Sequence, residues 1–140
     1  MSAKLNKKDR SAHRNIQYFV LWAIFGWIMI ATVIFFALIT NPPKNFDFSS
    51  ADKLVHLFAY CVLMGWFSQL YTSIRSQILW ALVFCLMGIL LEFIQGWGGH
   101  RFFEYADMAA NAAGVFLGWW LSRTLCAGWL VRIDQVLSRQ

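Results

Sequence analysis

Charged residues are scarce in this chain. Asp, Glu, Lys and Arg make up 14% of its 140 residues, whereas 59% are hydrophobic and 18% are aromatic. Because a soluble globular domain contains about 25% charged residues, this composition excludes that class and indicates an integral membrane protein. In a soluble chain the net charge of +5 would suggest nucleic acid. Here the basic residues follow the predicted membrane topology, and we expect no nucleic-acid partner.

Paired cysteines and familiar catalytic motifs are also missing. Cys61, Cys85 and Cys126 lie singly within apolar runs, without CxxC or Cys/His spacing. The sequence contains no GxSxG or HExxH motif. We therefore interpret the cysteines as core residues, and we expect neither a metal nor a cofactor.

Four apolar segments are long enough to cross a bilayer, for which about 20 residues suffice. Both prolines stand together, and the cluster of Asn41, Pro42 and Pro43 ends the first segment because proline cannot continue a helix. The chain is therefore predicted to be an all-α polytopic membrane protein, an antiparallel four-transmembrane-helix bundle with short loops. The predicted spans are residues 16–39, 51–71, 78–96 and 105–126.

The two ends of the chain differ from this transmembrane domain, which we place at residues 16–127. Residues 1–15 form a basic tail that carries five Lys and Arg residues and one acid. Residues 128–140 combine apolar residues at helical spacing with Arg132, Asp134 and Arg139 on the opposite side. This pattern predicts an amphipathic helix at the membrane interface, with Asp134 facing away from the apolar side.

The basic residues also predict the orientation of the bundle. Only Lys44, Lys53 and Arg101, of twelve Lys and Arg residues, fall on the side opposite the two tails. The positive-inside rule therefore places both termini in the cytoplasm.

Polar and small residues recur at helical spacing in three of the predicted spans, and members of each stripe share one helix face. Since an ionisable side chain exposed to hydrocarbon costs at least about 2.5 kcal/mol, we expect the stripes to meet in a polar pocket that faces outward. The glycines at 88, 114 and 118 would let the helices approach closely. The stripes are Asp52, His56 and Tyr60; Gly88, Glu92 and Gln95; and Asp107, Asn111, Gly114 and Gly118.

The order of these residues resembles the VanZ-like family. The matching pattern is Asp52-Lys53-x-x-His56-x-x-x-Tyr60, then Glu92-x-x-Gln95, then Arg101 six residues before Asp107-x-x-x-Asn111-x-x-Gly114. Glu104 stands where an aspartate would be expected. The family is bacterial and multi-span, and its namesake is associated with resistance to the glycopeptide antibiotic teicoplanin. The resemblance implies the bacterial inner membrane and a role at the cell envelope.

Several functions fit the predicted pocket. It would bind an anionic lipid headgroup or a cell-wall precursor, with Lys53 and Arg101 at its edge. Alternatively, His56, Glu92 and Asp107 would act as acid and base on a lipid-linked substrate. Two further interpretations are a metal site formed by His56, Glu92, Asp107 and His100, and a purely structural helix-packing cluster. Apolar faces left on the helices would also allow a homo-oligomer. The candidate ligand-binding residues are Asp52, Lys53, His56, Tyr60, Glu92, Gln95, Arg101, Asp107 and Asn111.

Overall fold

A computed structural model of the chain describes residues 16–39, 49–97 and 104–139. The predicted basic tail, the Asn41–Pro43 turn and the loop residues His100 and Arg101 lie outside these ranges. The all-α prediction is confirmed, because the described residues form helices and contain no strand. The helices are α1 (Phe19–Ile39), α2 (Ser49–Leu70), α3 (Ile74–Trp97), α4 (Tyr105–Arg123) and α5 (Trp129–Leu137).

Two of these helices are long and apolar enough to cross a membrane. They are Phe19–Leu38 in α1, with a mean hydropathy of 2.4, and Ile74–Trp97, with a mean hydropathy of 2.2. The polar stripes make α2 and α4 less apolar, since these helices carry residues such as Lys53, His56 and Asp107. The two apolar helices and the composition of the chain are consistent with a membrane protein.

The predicted connection between the second and third spans is wrong. The predicted spans 51–71 and 78–96 leave residues 72–77 as a connecting loop, but α3 begins at Ile74. The Ser73 hydroxyl accepts a hydrogen bond from the Ser76 amide at 3.5 Å, and the Ser73 carbonyl accepts one from the Gln77 amide at 3.0 Å. Polar residues that looked like a loop therefore cap and begin a helix, as serine commonly does.

Helix α2 lies at the centre of the fold and contacts the four other helices of the described chain. Its buried residues Leu63, Met64 and Phe67 pack against Ile30 of α1 and Phe84 of α3. This central position lets α2 present polar side chains to α3 and α4 on one side and apolar side chains to α1 on another.

Helices α2 and α4 are in direct backbone contact. A Cβ atom on Gly114 would overlap the carbonyl group of Leu57, and a Cβ atom on Gly118 would overlap the carbonyl group of Cys61. The two glycines lie one helical turn apart on α4, so every side chain except hydrogen is excluded along this line of contact. The short distance between the two backbones determines which α2 side chains can reach residues of α4.

Helix α5 packs against the end of the bundle and does not lie free at the interface. Leu130 and Asp134 are both buried, and Leu130 shares a small apolar cluster with Ile16 and Leu70. The prediction that Asp134 faces away from the packed side is therefore wrong. Its carboxylate is buried because it finds hydrogen-bond donors there.

Those donors lie at the start of α1. Asp134 Oδ1 accepts hydrogen bonds from the indole of Trp22 at 2.8 Å and from the amide of Tyr18 at 3.0 Å. Asp134 Oδ2 accepts one from the amide of Gln17. The first amides of a helix have no partner within that helix, so a side chain distant in sequence caps α1. Burial alone would raise the pKa of Asp134, but the three N–H donors lower it.

We expect Gly118→Ala to destabilise the folded protein by about 1–3 kcal/mol, because the new methyl group collides with a backbone carbonyl that cannot move away. Gly65→Ala is the matched control on the facing helix, since its Cβ would lie 3.8 Å from the Gly118 carbonyl oxygen, an ordinary contact distance. Thermal unfolding of both variants in detergent measures the difference. Equal stability of Gly118→Ala and the wild type would contradict the described approach of α2 and α4.

We expect Asp134→Asn to lower stability by about 1–3 kcal/mol at neutral pH, because an amide cannot accept all three bonds. The folded pKa of Asp134 lies below its ordinary value of about 3.9. Its contribution is therefore fully present above about pH 4 and is lost as the pH falls through the folded pKa. Unfolding curves at neutral and acid pH should show the two proteins converging in acid. Gln135→Ala, at the exposed neighbouring position, should leave stability unchanged.

Candidate functional site

Polar side chains of α2, α3 and α4 meet at one end of the bundle. The meeting point lies at the start of α2, the end of α3 and the start of α4, which the antiparallel order of these helices brings together. We refer to these residues as the polar cluster. Its members are Lys53, His56 and Tyr60 of α2, Glu92 of α3, Glu104 immediately before α4, and Asp107 and Asn111 of α4.

A hydrogen bond between His56 and Asn111 joins α2 to α4. The distance from His56 Nδ1 to Asn111 Oδ1 is 3.1 Å, a geometry in which the imidazole N–H donates to the amide oxygen. Asn111 is buried and lies over Gly88 of α3, where a Cβ atom would come within 2.9 Å of Asn111 Nδ2. The missing side chain of Gly88 therefore makes the space that holds the Asn111 amide beside His56.

Glu92 is the buried acid that α3 contributes to the cluster. Its side chain is 1% exposed, and Oε1 accepts a hydrogen bond from the backbone amide of Glu104 at 2.9 Å. Glu92 Oε2 and the Tyr60 hydroxyl are both buried, and neither has a hydrogen-bond partner among the described residues. Asp107, His56 and Glu104 lie close enough to Glu92 to interact with it electrostatically. The cluster thus holds more oxygen acceptors than its own donors satisfy.

Lys53 and Glu104 form an ion pair at the surface of the cluster, which we call the surface pair. Lys53 Nζ lies 2.9 Å from Glu104 Oε2, and the two side chains are 29% and 47% exposed. Lys53 also interacts electrostatically with Asp107. An ion pair this exposed to solvent is only weakly held, so either partner can exchange for another charged group.

Gln95 connects the cluster to α1. Its Nε2 atom donates a hydrogen bond to the carbonyl oxygen of Ala37 at 2.6 Å, and its Oε1 atom is buried without a partner among the described residues. Arg101 and the side chain of Asp52 lie outside the described part of the structure. Their predicted places beside the cluster therefore stay predictions.

The cluster is closed in the described residues, whereas the sequence predicted an open, outward-facing pocket. The side chains of Tyr60, Glu92, Asp107 and Asn111 are at most 3% exposed. A groove of about 490 Å³ lies elsewhere, between α1, α2 and α4, and its lining includes Met29. In the described part of the chain no three His, Cys, Asp or Glu side chains are arranged to hold a metal ion.

A second polar network, which the sequence pattern does not predict, lies at the opposite end of the bundle. Gln77 Nε2 donates to the Ser68 carbonyl at 3.1 Å, and Gln77 Oε1 accepts from the Trp119 indole at 3.1 Å and from Arg123 at 3.3 Å. The Arg123 guanidinium also lies over the Trp119 ring, 5.1 Å from its centroid. Gln77 is buried because it lies inside α3. The sequence predicts a loop at residues 72–77, and a loop residue would not be expected to be buried.

Hydrogen bonds of Gln69 join the same end of the bundle to the residue that precedes α5. Its Nε2 atom donates to the Ser122 carbonyl at 2.7 Å, and its Oε1 atom accepts from the Gly128 amide at 3.0 Å. Gly128 has a φ of 71°, a left-handed conformation that glycine adopts readily. These bonds join helices and turns without forming a site of their own.

Comparison with known proteins agrees with the sequence pattern. A sequence model of the family described as VanZ/LLP1 matches residues 3–127, which is most of the chain. No curated protein and no solved structure matches the chain. The match includes each residue of the polar cluster and confirms the resemblance inferred from their order.

Proposed function

The chain belongs to the VanZ/LLP1 family, and from this premise we propose that it is a four-span protein of the bacterial inner membrane. The polar cluster binds the phosphate or carboxylate of a lipid headgroup, or of a cell-wall precursor, at the outer surface. The single observation that carries the binding proposal is the surface pair, an accessible lysine held by a replaceable carboxylate above a buried polar cluster.

The four-span arrangement is supported by the side chains of α2, α3 and α4, whose large apolar residues are exposed and whose acids are buried. Large apolar residues of α2 point outward, with Val55 65% and Phe58 68% exposed, and so does Phe116 of α4, at 64%. The acids Glu92 and Asp107 are buried instead. In water this arrangement would leave a large apolar surface exposed, whereas in lipid it places apolar groups against hydrocarbon and ionisable groups inside.

The lengths of these helices also suit a bilayer. Helix α2 has 22 residues and α4 has 19, which correspond to about 33 Å and about 29 Å at 1.5 Å per residue. The hydrocarbon core of a bilayer is about 30 Å thick. The excess of basic residues in the two tails supports a cytoplasmic location for both termini and a position of the polar cluster near the outer surface.

The Glu104 carboxylate occupies the place that a ligand anion would take on Lys53. Exchanging one carboxylate for another, or for a phosphate, keeps the charge-assisted hydrogen bond of the lysine. The start of α4 adds backbone amides and the positive end of a helix dipole beside the same point. Arg101, which the sequence predicts at the edge of the cluster, would supply a second cation.

A labelling experiment tests the orientation. In a background without cysteine, Glu104→Cys places a single thiol immediately before α4, and Gln135→Cys places one on α5, which follows the other end of α4. A membrane-impermeant maleimide should label residue 104 from outside intact cells and residue 135 only after the membrane is opened. Labelling of both thiols from the same side would show that α4 does not cross the membrane.

Opposite effects of two charge-removing variants test the binding proposal. Lys53→Gln should weaken binding of short-chain phosphatidylglycerol to the purified protein about tenfold, because a charge-assisted hydrogen bond to the ligand is lost. Glu104→Gln should strengthen binding about two- to fivefold, because it removes a weakly held carboxylate that competes for Lys53. Binding is measured by titration in neutral detergent, with phosphatidylcholine as the lipid control.

A merely structural surface pair would give equal effects of Lys53→Gln and Glu104→Gln, and that result would contradict the proposal.

Expression in a teicoplanin-susceptible bacterium supplies a cellular measurement of the proposed role at the envelope. The wild type should raise the teicoplanin concentration that inhibits growth, and Lys53→Gln should abolish the increase at equal protein abundance.

A further inference from the structure

Three buried oxygen atoms around Glu92 have no hydrogen-bond partner among the described residues. They are Glu92 Oε2, the Tyr60 hydroxyl oxygen and Gln95 Oε1, on side chains that are 1%, 1% and 8% exposed. Gln95 lies three residues after Glu92 on α3, so the two share a helix face. The Tyr60 phenol interacts electrostatically with Glu92 across the interface between α2 and α3. The oxygens without a described partner therefore belong to one face of α3 and to α2, which packs against α3.

Among the described residues, the charges near Glu92 are predominantly negative. The groups that face it are the carboxylates of Asp107 and Glu104 and the imidazole of His56, besides the Glu104 amide that it already accepts. Lys53 lies at the surface of the cluster, where it is paired with Glu104. Within the described residues, three carboxylates thus share one lysine and one histidine. A buried carboxylate is stable only when it is paired, coordinates a metal or is neutralised.

We propose that Glu92 Oε2, the Tyr60 hydroxyl oxygen and Gln95 Oε1 form a buried site for one alkali cation of the sodium class. Hard cations prefer oxygen ligands, and all three donor atoms are oxygens. A single positive charge neutralises a single carboxylate. The described residues offer no arrangement of three His, Cys, Asp or Glu side chains of the kind that a multivalent metal ion would use.

This site is separate from the surface pair and goes beyond the proposed binding of an anion. Tyr60 follows Lys53 on α2 by about two helical turns, and this closeness gives the cation site a role in that binding. An occupied site cancels the negative charge of Glu92, which would otherwise repel a phosphate or carboxylate approaching the cluster. The cation would therefore act as a resident counter-ion for the acidic interior.

The experiment measures the thermal unfolding of the purified full chain in a neutral detergent without added lipid. Sodium, lithium, potassium and N-methylglucamine chlorides are compared at equal ionic strength. Sodium should raise the unfolding temperature by a few degrees relative to N-methylglucamine, with a saturable dependence on concentration, because a ligand that binds only the folded state stabilises it. Equal unfolding temperatures in all four salts would overturn the proposal.

Two variants and a matched control assign the effect to these atoms. Glu92→Gln should unfold at the same temperature with sodium and with N-methylglucamine, and Tyr60→Phe should shift the sodium dependence to higher concentration. Ser68→Ala is the control, because it also removes a buried hydroxyl of α2 that lacks a partner among the described residues. Ser68→Ala should keep the wild-type response. A full sodium response in Glu92→Gln would overturn the proposal, whereas loss of phosphatidylglycerol binding alone would leave it standing.

Discussion

The contact between α2 and α4 is the constraint on which the rest of the structure depends. Gly114 and Gly118 let α4 lie directly on the carbonyl groups of Leu57 and Cys61. At this separation the short side chain of Asn111 reaches His56 across the interface. A larger residue at either glycine would hold the helices apart, and the hydrogen bond would be lost together with the enclosure of the polar cluster.

The cluster consists of polar and ionisable groups, which are costly to place in hydrocarbon. The fold gives hydrogen-bond partners to some of these groups and not to others. His56 and Asn111 pair with each other, and one oxygen of Glu92 accepts the Glu104 amide. The other oxygen of Glu92 is left without a partner among the described residues. At the opposite end, Gln77 and Gln69 use both their donor and acceptor atoms to hold helices together. The contrast separates a polar network whose amide groups are fully paired from one that keeps a buried oxygen without a described partner.

The helical content and the convergence of the polar stripes could be predicted because both follow from periodicity. His56, Glu92 and Asn111 fall on apolar segments at helical spacing, and an ionisable group in such a segment must face other protein. The partners of Asp134 could not be predicted, since they depend on how α5 docks at the other end of the chain. Gln77 was misplaced because glutamine beside serine and arginine has the composition of a loop. The surface pair joins residues 53 and 104, a separation for which helical spacing offers no guide.

The cap that Asp134 places on α1 has a consequence for how the protein is made. The amides of Gln17 and Tyr18 leave the ribosome long before the residue that satisfies them. During synthesis the beginning of the first helix must rely on water or lipid headgroups for those bonds. Insertion of that helix and its final anchoring are therefore separate events in time, and the second requires that translation has passed residue 134.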